Sequence, residues 1–147
     1  MDLTKEYPRS VRDTILGVVQ LPRTVDKARA YAAGKVGEYH YNCSMDQGVF
    51  AFLGIKDHEA FAREASSRSD ADLERWLDET YVSKKTPAEI AAWDAQWLEY
   101  GPDPGSDGEK YMKSEIAKIA PDRTDVRAWA DFLDLDEHRP VPHRAGV

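Results

Sequence analysis

Helix boundaries recur along this chain at short intervals, and they leave room only for small helices. The clearest is Thr86-Pro87-Ala88-Glu89. Thr86 is placed to accept a hydrogen bond from a first-turn amide, and Glu89 to reach back to the cap amide. Pro87 takes the first helical position, where a missing N–H costs nothing. The helix that follows carries Ile90, Trp93, Trp97 and Tyr100 on one face and ends at Gly101. Such a stripe reads as core, because an amphipathic helix buries its apolar side.

Similar signals divide the rest of the chain. Pro22 opens a helix over residues 22–33 that Gly34 closes, and Ser10 is placed to cap a shorter one carrying Val11, Ile15 and Val18. Ser44-Met45-Asp46-Gln47 has the form of a capping box, and Gly54 ends the helix it starts. Asp57 and Ser69 cap two more; Met112, Ile116 and Ile119 mark a penultimate helix that stops before Pro121. Thr124 caps the last, through Val126, Trp129, Ala130 and Leu133. The expected fold is all-α: a compact single domain of about seven or eight short helices over residues 1–137, then a tail, 138–147, containing Pro140 and Pro142. A chain of 147 residues can bury enough surface to fold without a disulfide or a metal.

One stretch breaks the helical rhythm. Over residues 34–44, Tyr39, Tyr41 and Cys43 alternate with Glu38, His40 and Asn42. Period two with aromatics reads as extended chain, and without a pairing partner it is an extended loop. Loops of this length are where small domains concentrate function.

Charge limits the partners. A net charge of −7 argues against nucleic acid, and no apolar run is long enough to span a membrane. The first six residues have no apolar signal core, and Cys43 is the one cysteine, which together point to the cytoplasm. Yet from Pro8 to Lys35 six basic residues face only Asp13 and Asp26, a local net of +4. Arg23 and Lys27 share a helix face at i, i+4 and repel, so a counter-charge is required. It is either internal, from Asp26, Glu38 or the acidic C-terminal helix, or a bound anion near a helix N-terminus. In the second reading Arg9, Arg23 and Lys27 hold the anion, Tyr39 or Tyr41 stacks or donates a hydrogen bond, and Glu38 is a candidate base.

Other chemistries find little support. In an extended segment His40 and Cys43 point to opposite faces, so Cys43 reads as a structural thiol rather than a nucleophile. His40, His58, His138 and His143 form no helical ligand pair, so no metal site is expected. Gly34-Lys35 lacks both the upstream glycine and the following hydroxyl of a phosphate loop, and no cofactor motif is present.

Asp2-Leu3-Thr4-Lys5, Tyr7-Pro8-Arg9-Ser10, Leu21-Pro22-Arg23, Asp26-Lys27-Ala28-Arg29-Ala30, Gly37-Glu38-Tyr39, Asn42-Cys43, Phe52-Leu53-Gly54-Ile55 and Asp122-Arg123-Thr124-Asp125-Val126 follow one another in that order. On these segments the chain resembles a bacterial family catalogued only as a domain of unknown function, number 5069 in that series. The resemblance spans nearly the whole chain. It implies a small single-domain bacterial protein and carries no catalytic or binding residues with it. From the residues themselves, the expected function is a cytosolic binding protein or enzyme for a small anionic metabolite. The alternative is a protein-interaction module without catalysis, docking through the acidic C-terminal helix or an aromatic surface. Catalytic residues and oligomeric state are not assigned by the sequence.

Overall fold

The computed structural model describes residues 1–144. Its first regular element is a short antiparallel hairpin, β1 (Thr14–Ile15) and β2 (Val18–Val19), with Thr14 opposite Val19 and Ile15 opposite Val18. This corrects the helix expected after Ser10. Leu16 (φ 55°) and Gly17 (φ 81°) both adopt left-handed backbone, the geometry of a tight hairpin turn, which a helix cannot cross. Ser10 instead accepts a hydrogen bond from the Arg12 amide at 3.0 Å within a turn.

Seven α-helices follow among the described residues: α1 (Leu21–Ala32), α2 (Ser44–Leu53), α3 (His58–Ser67), α4 (Asp70–Thr80), α5 (Pro87–Glu99), α6 (Asp107–Ile119) and α7 (Trp129–Asp136). A single 3-10 turn, Val82–Lys84, sits between α4 and α5. The chain is therefore mostly helical, as its caps imply. The Thr86 box forms as expected: the Glu89 amide donates to Thr86 Oγ1 at 3.1 Å and the Thr86 amide to Glu89 Oε1 at 3.0 Å. Asp57 and Ser69 accept from the amides of Ala60 and Asp72. Gly54 closes α2 with φ 79°.

Two caps shift. α2 is opened by Cys43, with Asp46 as its reciprocal partner, one residue earlier than the Ser44 box. α7 begins at Trp129 rather than after Thr124. Residues 124–128 stay outside the helix because Asp125 is held by Arg123 and the Trp129 amide donates to the Tyr100 carbonyl at 2.9 Å. Gly101 permits that close approach, since a Cβ there would collide with the Arg127 carbonyl.

The described residues gather into two compact units, one from Met1 to Asp94 and one beginning at Ala95. The first is built around α1, which packs most extensively on α3. Val18, Leu21, Val25, Val49, Leu53, Phe61, Leu73 and Leu77 form its core. In the second, Met112 and Ile116 of α6 pack with Phe132 of α7. Residues 138–144 carry no helix but are tied down: Val141 is buried, and Arg144 donates to Asp131 Oδ2 at 2.7 Å and to Glu99 Oε2 at 2.6 Å. Positions 145–147 of the expected tail lie outside the described residues.

The aromatic stripe of α5 is only half sunk, a correction to its reading as core. α5 has no fully buried residue, and Tyr100 is 43% exposed. Trp93 stacks on Phe52 at 4.8 Å and Trp97 on Tyr100 at 4.9 Å. Stacking shields one face of each indole, and both side chains stay half-buried.

Candidate functional site

α1 is amphiphilic in sequence yet buried nearly all round. Beside Leu21, Val25 and Ala28 it sinks Arg23, Thr24, Asp26 and Lys27, each at most 4% exposed. Burying charge without partners costs several kcal/mol per ion, so each must be matched. Arg9 delivers its guanidinium to Asp26 through Nε (3.1 Å) and Nη2 (3.0 Å), and its backbone amide donates to the same carboxylate at 2.8 Å. Arg23 donates to the Arg9 carbonyl at 3.1 Å, and its guanidinium lies 5.6 Å from the Tyr39 ring centre, a cation–π contact. Lys27 reaches the other way: its Nζ is 2.8 Å from Asp46 Oδ2 and 3.2 Å from Cys43 Sγ. Asp46 also accepts from Thr24 Oγ1 at 2.6 Å and from Gln20 Nε2 at 3.4 Å. Gln20, wholly buried with φ 71°, is the strained residue that starts α1.

The six residues expected at an anion site therefore separate. Arg9, Arg23 and Tyr39 come together at the start of α1, with Asp26 among them. Lys27 belongs to the Cys43–Asp46 end, and Glu38 is exposed. Tyr41 leaves the group altogether. Its hydroxyl donates to the His58 carbonyl at 2.6 Å, and its ring packs near Tyr31 (5.1 Å), His58 (6.0 Å) and Phe50 (6.2 Å). Burial pushes the Tyr41 phenol well above its ordinary value, so it acts there as a fixed donor.

His58, whose carbonyl Tyr41 holds, lines a groove of about 310 Å³. Phe50, Ala51 and Ile55 supply its apolar surface, while Asn42, Gln47, Lys56 and His58 supply the polar one. None of these lining side chains is acidic. Asn42 turns the chain there with φ 64°, and Gln47 Nε2 donates to the Asn42 carbonyl at 2.9 Å, fixing the amide so that its oxygen is left as acceptor. His58 lies 3.4 Å from Glu59, whose carboxylate accepts from Tyr31 at 2.6 Å. Asp57 is spent on the Ala60 amide, which holds its carboxyl below the usual range. Lys56 and His58 escaped sequence reasoning because neither sits in a motif; the signal available was their position at a Gly54-terminated helix joint beside the tyrosine loop.

Among the described residues no helix is long and apolar enough to cross a membrane, and no three His, Cys, Asp or Glu side chains converge as a metal site. Fold and groove define a small, mostly helical protein with a buried ionic spine and a mixed polar–apolar recess. The chain belongs to the family described as Domain of unknown function (DUF5069), whose model matches residues 5–139. A search of curated proteins returned no match.

Proposed function

We propose that this protein binds a small anionic molecule in the groove between the tyrosine loop, α2 and the start of α3. One observation carries the reading: Lys56 and His58 line a recess of about 310 Å³ in which no lining side chain is acidic. That volume is at the small end of ligand sites, which are apolar with a few placed polar groups. Lys56, which has no salt-bridge partner among the described residues, gains from an anion what it lacks from its own neighbours. In this reading Arg9, Arg23, Lys27 and Tyr39 stiffen the support behind the loop, and Tyr41 fixes its far end. The unpaired Cys43 supports action in the reducing cytoplasm.

The test is thermal. A ligand that binds only the folded state raises the melting temperature by mass action. Phosphate or a simple carboxylate should raise Tm beyond chloride at matched ionic strength, and Lys56→Ala should abolish the difference. An equal response to chloride would overturn the reading.

A further inference from the structure

We infer that the occupant of this groove is a monocarboxylate carried on a compact apolar body, rather than an inorganic anion; the inference rests on the anion reading above and narrows its ligand. Two features of the recess point there. The first is its floor. Phe50 and Ile55 are core side chains, 5% and 8% exposed, that show their remaining surface to the groove, and Ala51 widens it. Phe50 is locked edge-on between Tyr41 and Phe61 (6.2 and 5.1 Å), so this surface does not rearrange to become polar. A hydrated phosphate would have to shed water against it without any hydrogen bond in return. A ring or short alkyl group laid on the same surface loses only unfavourable hydration.

The second feature is the polar edge. Gln47 spends one of its two Nε2 donors on the Asn42 carbonyl, and its amide oxygen remains an acceptor at the groove edge. An acceptor repels a second negative charge. Lys56 and His58 can therefore meet one carboxylate, while the uncharged amides of Asn42 and Gln47 supply no cation for a second negative charge. Charge at one end and apolar contact at the other describe an amphipathic carboxylate.

The experiment titrates the full chain with sodium benzoate, sodium acetate and sodium phosphate at matched ionic strength, following amide shifts around residues 47–58. An open recess and a small ligand place the dissociation constant at about the millimolar level, well suited to this readout. Benzoate should bind at least about tenfold more tightly than acetate or phosphate, a difference of about 1.4 kcal/mol. Ala51→Gln, an exposed helical position, fills the apolar side without touching the core; it should weaken benzoate several-fold and leave acetate unchanged. Lys56→Ala should weaken all three. Phosphate binding as tightly as benzoate, still dependent on Lys56, would overturn the inference and leave the anion reading standing. No Lys56-dependent binding of any of the three would overturn both.

Discussion

Lys27 shows how single residues hold this chain together. Its ammonium is the one cation within salt-bridge distance of Asp46 among the described residues, and Asp46 is fully buried. Removing one partner of such a pair leaves a charge with nowhere to go, at a cost of about 3–5 kcal/mol. Lys27→Ala should lower the urea midpoint accordingly. Lys27→Met combined with Asp46→Asn should recover most of the loss, because both charges go and the Asn oxygen still accepts from Thr24. An additive double variant would mean that packing, not charge, carries the effect. The sequence showed that Arg9, Arg23 and Lys27 needed counter-charges, and it named Asp26 as one candidate. It could not show Asp46, because that acid is nineteen positions along the chain and meets Lys27 only through the way the 34–44 loop returns α2 against α1.

At the scale of elements, local chemistry was legible where a helix is capped by its own neighbours. The Thr86 box needs only residues 86–89, so spacing alone predicts it, and the geometry agrees on both hydrogen bonds. Thr86→Ala should cost about 1 kcal/mol, read as a shift in urea midpoint at unchanged slope. No shift would mean that solvent replaces the cap without loss. Elements whose ends are decided by distant backbone were not legible. Ser10 has the look of a cap, but the left-handed pair Leu16-Gly17 turns the chain into a hairpin, and the Val19 amide is taken by Asp94 Oδ1 at 3.1 Å. Thr124 likewise precedes a good apolar period, yet α7 waits until Trp129 because Tyr100 claims its amide. The groove was half legible: the tyrosine loop drew attention to its own wall, but nothing in the pattern placed Lys56 and His58 opposite it.

Across the whole molecule the net charge of −7 is carried by acids that are often engaged. In the second unit Asp125 accepts from Arg123 Nε at 2.9 Å and from the Arg144 amide at 2.8 Å. The Arg123 guanidinium, and then the Arg144 amide, hold the Asp125 carboxyl far below its ordinary range. A depressed folded-state value stabilises the fold at pH above the unfolded value of about 3.9, and that contribution fades as pH falls toward the folded one. Urea midpoints measured from neutral to strongly acidic pH should therefore fall below about pH 4. The gap between the native chain and Asp125→Asn should be widest at neutral pH and close on the acid side. A gap independent of pH would assign Asp125 a packing role instead.

The buried spine of α1 also has a thermal consequence. Ions are held by water with a strongly unfavourable entropy, so the penalty for keeping Lys27 and Asp46 dry shrinks as the solution is warmed. Greasy contact gains nothing comparable over the same range. The neutral pair Lys27→Met/Asp46→Asn should then compare most favourably with the native chain in the cold and progressively less well toward the melting transition. The stability difference between the two chains, read from calorimetric curves, should shift in favour of the native chain on heating, making the ionic helix an asset whose worth rises with temperature.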